Sequence, residues 1–286
     1  MKSNNRRIFE QVLKNIVLWI VALTMIFPVL YVLTNSFIGP AEFLRYYGNI
    51  ASHPTRYNPL HFIPDWITLD GFKEVFLLRP HYLMKFWSSM LISVTIVAGQ
   101  MIIAVLGGYA FSRFRFPCRN IIFFLIILLM MLPLQVTLVP NYIMLDRFGL
   151  IGTYVAVILP GIFSAFGVFL MRQIMVSLPQ SMFEAAKLDG AGAWRTLWRI
   201  CLPNCKTGIA ALLVLCFADS WNMIEQPLVF LQYSNKYPMS VFLTQINTIS
   251  PEISFTCSVL SILPTLLLFL AFKDEMVVGV ESTLVK

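Results

Sequence analysis

The sequence predicts an all-α, polytopic membrane protein with six transmembrane helices. Only 12% of its 286 residues are charged and 58% are hydrophobic, whereas about a quarter of the residues of a soluble domain carry charge. Six stretches are also long and nearly free of charge, and about 20 apolar residues in a helix cross a bilayer core of ~30 Å. The predicted spans are residues 16–37, 86–112, 120–145, 148–171, 207–231 and 253–272.

The basic residues are divided unequally between the two sides of the predicted bundle. An even number of spans places both termini on one side, and the segments on that side carry 14 of the 21 Lys and Arg residues. Short loops rich in basic residues stay in the cytoplasm. We therefore expect cytoplasmic termini, and this topology explains the net charge of +7 without a nucleic-acid partner.

Three regions follow from this topology. Residues 1–84 are predicted to hold a cytoplasmic N-terminus, the first span and a long extracytoplasmic segment with a short helix near residues 69–77. Residues 85–272 are predicted to form a five-helix core that contains a charged cytoplasmic loop, residues 173–205. Residues 273–286 are predicted to form a short cytoplasmic tail.

A charged segment that does not suit a membrane lies between the fourth and fifth spans, at residues 181–203; we call it the knob. Ser181 followed by Glu184 has the spacing of a capping box, so a first helix is predicted to begin at Ser181. Gly190 and Gly192 are predicted to end that helix, because glycine adopts a left-handed turn at little steric cost.

The second half of the knob is predicted to be another short helix, over residues 193–201, which ends at Pro203 because proline cannot continue the hydrogen-bond ladder. The two helices are predicted to share an apolar face. Its members are Phe183, Leu188, Trp194 and Leu197. Such a pair suits docking to a partner protein or lying on lipid. The glycine-broken turn modestly favours docking, since a helix on lipid does not need it.

Two carboxylates are predicted to lie inside the fifth span. Asp219, Asn222 and Gln226 would share one helix face, with Glu225 at its edge. A carboxylate within a bilayer costs at least ~2.5–3.5 kcal/mol, so these four residues are predicted either to line a hydrophilic pathway or to hydrogen-bond other helices. Polar residues of other spans are candidates for the same pathway: Gln100, Gln135 and Asn141.

Catalytic and metal-binding patterns do not occur in this sequence. It has no phosphate-binding loop, no zinc-protease helix motif and no nucleophile elbow. Cys201 and Cys205 are one helical turn apart, but the three histidines lie in a different segment, so no metal site is predicted. We therefore predict no catalytic residue and no cofactor, and any ATP must be hydrolysed by another chain.

Seven residues of the knob have the spacing of a known motif. They are Glu184, Ala185, Ala186, Gly190, Ile200, Leu202 and Pro203. This spacing resembles the EAA motif of ABC-importer membrane subunits. Other segments, among them YAFSRFRFP at residues 109–117 and SWN at residues 220–222, resemble carbohydrate-uptake permeases of the maltose-transporter type. The likeness covers roughly residues 60–272.

The resemblance implies an ABC type I importer permease fold in a bacterial cytoplasmic membrane, working by alternating access. It implies, besides the lipid bilayer, a second homologous permease subunit, two cytoplasmic ABC ATPase subunits and an extracytoplasmic solute-binding protein. The knob would be the coupling helix in a cleft of the ATPase, with Glu184 and Gly190 as its functional positions. The implied cargo is a sugar or oligosaccharide.

Three alternatives stay open. The same fold can import another solute, such as a glycerophosphodiester or a peptide. The chain can instead be a membrane scaffold that recruits a cytoplasmic partner, or an intramembrane enzyme that uses Asp219 and Glu225. Two features depart from the family pattern: Glu225 stands where apolar or aromatic residues are more common, and the tail after Gly279 is not rich in glycine and alanine.

Overall fold

The computed structural model describes residues 2–48, 61–78, 80–249 and 251–284, and in these ranges the chain forms helices and turns with no strand. The helices are α1 (Lys2–Asn35), α2 (Pro40–Tyr47), α3 (Asp70–Lys73), α4 (Pro80–Arg113), α5 (Arg119–Met131), α6 (Leu134–Arg147), α7 (Tyr154–Gly161), α8 (Ala165–Ser177), α9 (Gln180–Leu188), α10 (Ala193–Thr196), α11 (Leu202–Asn204), α12 (Lys206–Trp221), α13 (Glu225–Phe230), α14 (Met239–Ile249) and α15 (Ser254–Leu284). Short π-helical stretches follow α3 (Glu74–Leu78) and α10 (Leu197–Cys201). The predicted all-α class is confirmed. One of the three histidines, His53, lies outside the described residues.

Within the described residues, four helical stretches are long and apolar enough to cross a membrane. They are Gln11–Asn35, His81–Arg113, Tyr154–Ser177 and Pro251–Glu275. Two bent pairs have the same character: α5 with α6, bent by 105°, and Ala193–Asn204 with α12, bent by 80°. Up to six spans result when each bent pair counts as one, which agrees with the number predicted.

The predicted third span consists of two helices. α5 ends at Met131, Leu132 is extended with φ −73° and ψ 126°, and α6 begins after Pro133. The residue before a proline avoids the helical region because of a clash with the ring, and proline has no N–H for the helical ladder. Pro140 lies inside α6 without ending it. The sharp bend therefore belongs to Pro133 alone.

The predicted fourth span begins and ends later than expected. It starts at Tyr154, and its second helix runs to Ser177. Gly149 and Gly152 have φ values of +65° and +81°, a region that glycine reaches without steric cost. These two residues form the turn that delays the helix.

The predicted fifth span, residues 207–231, is wrong in its last third. α12 ends at Trp221, a short loop follows, and α13 begins at Glu225. Pro227 fits the first turn of a new helix, where its missing N–H has no partner to lose, and it would break a continuous helix. The four predicted pathway residues therefore lie on two helices and a loop, and their predicted common helix face does not exist.

One compact unit is centred on an aromatic cluster. The unit comprises residues Met1–Leu83 and Leu243–Ile262. Phe255 lies 5.9, 6.1 and 5.7 Å, between ring centroids, from Tyr31, Phe43 and Tyr47. Edge-to-face contacts of this kind join α1, α2 and α15. The short helix predicted near residues 69–77 is confirmed as α3 and the π-helical stretch that follows it.

A second unit contains two apolar clusters. The unit comprises residues Met84–Phe242 and Leu263–Lys286. The larger cluster joins α4, α8, the knob and α12, with Ala104, Met171, Leu197 and Leu212 among its buried members. The smaller one joins α4, α7 and α13, with Ile96, Val157 and Phe230 among its members. Helix α4 takes part in both clusters, so it is the common element of this unit. The three-part division of the chain made from the sequence stays a prediction.

Close packing of α4 against α8 depends on Gly108. A Cβ at position 108 would lie 2.6 Å from Met171 Cβ and 2.9 Å from the backbone nitrogen of Arg172. A Cβ at Gly107 would lie 3.2 Å from the methyl groups of Val168. A methyl group can shift by a few tenths of an ångström, but the backbone of a packed helix cannot, so the two glycines differ in what they tolerate.

We expect Gly108→Ala to lower the unfolding free energy by about 1–3 kcal/mol through overpacking. Gly107→Ala is the matched control, because both changes bring the same gain in helix propensity. Thermal unfolding of the purified chain in detergent, followed by tryptophan fluorescence, measures both. Equal midpoints for the two variants would contradict the packing inferred at Gly108.

Candidate functional site: a knob and a polar cavity

The knob turns at Gly190, which has the left-handed φ of +70° that was predicted. The N–H of Ala191 donates to the carbonyl of Ala186 at 2.9 Å, and the N–H of Gly190 donates to that of Lys187 at 3.1 Å. These two bonds are those of a Schellman motif, which satisfies the last carbonyls of a helix. Gly192 is not left-handed, with φ −67°, and instead caps the start of α10. Gly190 alone therefore forms the turn.

Two other predictions about the knob are wrong. α9 begins at Gln180, with Pro179 at its N-cap and no side-chain cap hydrogen bond, so the capping box predicted at Ser181 and Glu184 is not formed. Pro203 does not end the second helix. It occupies the first turn of α11, where proline is tolerated, and the bend comes after Asn204.

The predicted apolar face of the knob is divided between two environments. Leu197 is buried against the bundle and Phe183 is half-buried, whereas Leu188 is 88% exposed and Trp194 is 63% exposed. Trp198, which the prediction omitted, is 54% exposed, and its ring lies 5.7 Å from that of Trp194. One side of the knob is thus packed against the bundle, and the other side leaves large apolar side chains exposed.

The seven residues of the predicted EAA motif are divided in the same way. Ala186 is buried and Ile200 and Leu202 are half-buried, so these three hold the knob against the bundle. The remaining members lie on the exposed side: Glu184, Ala185, Gly190 and Pro203. Sequence reasoning missed Tyr109 and Arg113, the side chains of α4 that contact the knob. The motif YAFSRFRFP marked their segment without indicating this contact.

A cavity of about 470 Å³ lies where α12 ends and α13 begins. It is lined by all four predicted pathway residues, Asp219, Asn222, Glu225 and Gln226, and by Gln100 of α4. The break between the helices brings these side chains to one cavity, although not on the common helix face that was expected. Their role in a translocation pathway stays a prediction. The other two candidates, Gln135 and Asn141, are not among the lining residues.

Carboxamide groups hold the wall of this cavity. Gln135 donates its Nε2 hydrogens to both carboxylate oxygens of Glu225, at 3.1 and 3.2 Å. Gln100 donates to the carbonyl of Gly161 at 2.7 Å, and Asn222 donates to that of Ala218 at 2.9 Å, which caps the end of α12. The cavity therefore combines ionisable and neutral acceptors held at fixed positions.

One group of side chains in the described residues has the composition of a metal site: Glu42, His61 and Asp65. The ring Nε2 of His61 lies 3.0 Å from Glu42 Oε1, which also accepts the N–H of Asp65 at 2.7 Å. Tyr46 stacks on His61, and its hydroxyl donates to Asp65 at 2.9 Å. This hydrogen bond raises the pKa of Tyr46. The polar atoms thus satisfy one another and tie α2 to the segment after residue 60.

Comparison with known proteins identifies the family. Residues 100–274 match the family described as the binding-protein-dependent transport system inner membrane component, and this match covers more than half of the chain. The chain belongs to this family. It is a multi-pass membrane permease and a transport subunit rather than an enzyme, which removes the scaffold and intramembrane-enzyme alternatives.

Curated relatives carry the names of permeases for several solutes. The arabinooligosaccharides transport system permease protein AraQ of Halalkalibacterium halodurans is 30% identical over 91% of this chain and 90% of its own length. The lactose transport system permease protein LacG of Rhizobium radiobacter is 31% identical over 68% of this chain and 73% of its own. The sn-glycerol-3-phosphate transport system permease protein UgpE of Yersinia pestis is 39% identical over half of each chain.

Solved structures confirm the fold. A bacterial ABC transporter involved in the import of the acidic polysaccharide alginate contains a chain that aligns with a TM-score of 0.78 over 94% of this chain and 96% of its own, at 22% identity. A second structure, the alginate transporter with an alginate pentasaccharide-bound periplasmic protein, aligns with a TM-score of 0.64 at 15% identity. The predicted importer-permease fold is thereby shown.

We expect Gly190→Ala to disturb the knob, because a left-handed backbone costs a residue with a Cβ about 1–2 kcal/mol. No atom lies within 4 Å of a Cβ at Gly190 or Gly192, so the effect is purely conformational. Gly192→Ala, at an ordinary φ, is the control. The exchange rates of the amide hydrogens at positions 190 and 191 measure the stability of the turn, and they should be faster in Gly190→Ala than in Gly192→Ala. Equal exchange in both variants would contradict the role of the turn.

Proposed function

We propose that the chain is one of two homologous permease subunits of an ATP-driven importer that moves a sugar or oligosaccharide into a bacterial cell by alternating access. Two cytoplasmic ATPase subunits and an extracytoplasmic solute-binding protein complete the assembly. The observation that carries this proposal is the rigid knob, which presents exposed apolar groups beside Glu184 in a chain of this family.

The exposed side of the knob supports docking to an ATPase. Leu188 and Trp194 lie on either side of the Schellman turn, and both are largely exposed on the chain alone. Contiguous exposed apolar groups with a polar surround mark interaction sites. Since the turn fixes α9 relative to α10, a partner that grips this side displaces the knob as one body.

The distribution of charge supports the orientation. The termini and the knob lie on the side that carries 14 of the 21 basic residues. That side is cytoplasmic by the positive-inside rule, where ATPase subunits and ATP are found. The coupling role and the predicted topology therefore agree.

The cavity supports a neutral, hydroxyl-rich cargo. Its polar lining residues are carboxylates, carboxamides and a hydroxyl, and no Lys, Arg or His lines it in the described chain. Such acceptors hydrogen-bond sugar hydroxyls, whereas two carboxylates repel an anion. The lining favours neutral cargo of the kind named for AraQ and LacG over the phosphorylated cargo named for UgpE.

We expect Glu184→Ala to lower uptake by roughly tenfold or more and to weaken retention of the ATPase, because a charge-assisted contact is worth about 1.5–3 kcal/mol. Uptake of radiolabelled arabinotriose or lactose and co-purification of the ATPase measure these effects in cells that express the whole importer. Asp146→Ala removes an exposed carboxylate elsewhere in the chain and is the control. Unchanged uptake and retention in Glu184→Ala would overturn the coupling role.

We expect Asp219→Asn and Glu225→Gln to reduce uptake of the neutral sugar severalfold without loss of assembly, since each removes a charged acceptor worth about 1–3 kcal/mol but keeps the size of the side chain. The Glu225 variant also keeps an oxygen for Gln135. Uptake per assembled complex is the measurement, with sn-glycerol-3-phosphate as the anionic competitor. If the variants lose assembly but keep uptake per complex, these residues pack helices instead.

A further inference from the structure

We propose that Arg113 and Tyr109 of α4 clamp the knob, so that displacement of the knob moves α4 and with it the wall of the cavity. The proposal rests on the proposed function, because it concerns how that importer transmits motion. Both residues are positioning residues and neither contacts cargo. They belong to the segment of residues 109–117.

Arg113, the last residue of α4, joins three parts of the chain. Its guanidinium donates to the backbone carbonyls of Met175 and Leu178, the latter at 3.3 Å, and to Gln180 Oε1 at 3.1 Å. The first two acceptors lie at the end of α8, where carbonyls lack helical partners. The third lies on the first residue of α9. One side chain thus caps α8 and fastens it to the helix that opens the knob.

The same guanidinium also stacks on the knob. Arg113 Cζ lies 3.5 Å from the centre of the Phe183 ring, which stands one turn after Gln180 on α9. A planar guanidinium stacks on an aromatic ring while its edge donates hydrogen bonds, and an ammonium group cannot do both. Lysine would therefore be a poor substitute at Arg113, although it keeps the charge.

Tyr109 contacts the second helix of the knob. It precedes Arg113 by one helical turn, and its hydroxyl donates to the carbonyl of Ala193 at 3.1 Å. Ala193 is the first residue of α10, beyond the turn at Gly190. Tyr109 is only 7% exposed, so its ring is packed within the protein, and its hydrogen bond is partly buried. Arg113 thus contacts α9 and Tyr109 contacts α10, so the knob is bound to α4 on each side of its turn.

Helix α4 connects this clamp to the cavity. Gln100, which lines the cavity, precedes Arg113 on the same continuous helix. Thirteen residues at ~1.5 Å each separate them by about 20 Å along the axis. Gln100 also binds the carbonyl of Gly161 in α7. A rotation or shift of α4 that starts at the knob therefore reaches both α7 and the cavity wall.

The test measures whether the knob still controls the cavity. Ile224 lines the cavity and is exposed, so Ile224→Cys reports access by its rate of labelling with a water-soluble maleimide. Cys118 is the exposed one of the five native cysteines, and Cys118→Ser removes its competing thiol from the background chain. The assembled importer, purified with its ATPases, is labelled without nucleotide and with ATP and vanadate. ATP hydrolysis is measured on the same samples.

We expect nucleotide to change the labelling rate by roughly fivefold or more in the background chain, the lower end of ordinary coupling energies. Arg113→Gln, Arg113→Lys and Tyr109→Phe should each reduce this change to less than about half while hydrolysis continues. Arg115→Gln, an exposed neighbour in the same segment, should retain the full change. A general structural defect would lower hydrolysis and labelling together, which separates it from loss of the clamp.

Retention of the full nucleotide response in Arg113→Lys and Tyr109→Phe would overturn the clamp and leave the importer proposal intact. Absence of any response in the background chain would overturn the proposed function itself. If Arg113→Gln fails to assemble, Tyr109→Phe decides, because it removes one hydroxyl from a residue of unchanged shape.

Discussion

The structure depends on satisfying backbone carbonyls where its helices are interrupted. A bilayer offers no water to such groups, so an interrupted helix must find partners within the protein. Here side chains supply them, two from distant parts of the chain and one from the adjacent helical turn. Arg113 binds the carbonyl of Leu178, Gln100 binds that of Gly161, and Asn222 binds that of Ala218. Each of these bonds lies where a helix ends. A straight, continuous helix would not need them.

These breaks create both parts of the candidate functional site. The interruption between α12 and α13 opens the cavity and exposes Glu225 to Gln135. The turn at Gly190 separates two short helices, and Leu188 before it and Trp194 after it are both largely exposed. An unbroken bundle would bury its polar groups as helix-packing contacts. Both parts of the candidate site are therefore consequences of helix breaks.

Local signals in the sequence were sufficient for part of this description. Charge content and span length predicted the class, and a glycine that reaches positive φ predicted the turn at Gly190. The capping box at Ser181 failed because Pro179 already sets the start of α9. The straight helix over residues 207–231 failed because hydropathy averaged over a span does not register a break of three residues. Contacts such as that of Arg113 with Met175, 62 positions away, leave no local pattern.

The knob needs two kinds of rigidity to act as a coupling element, and different chemistry provides each. Backbone hydrogen bonds at Gly190 make it rigid within itself, so force on Leu188 reaches Trp194 and α10. Side-chain bonds from α4 make it rigid relative to the bundle. Without these side-chain bonds, a stiff knob would rotate about its flexible connections, and its displacement would not reach the cavity. A guanidinium with several donors and a stacking face suits the contact between α4 and the knob, because several interactions must break together before the two separate.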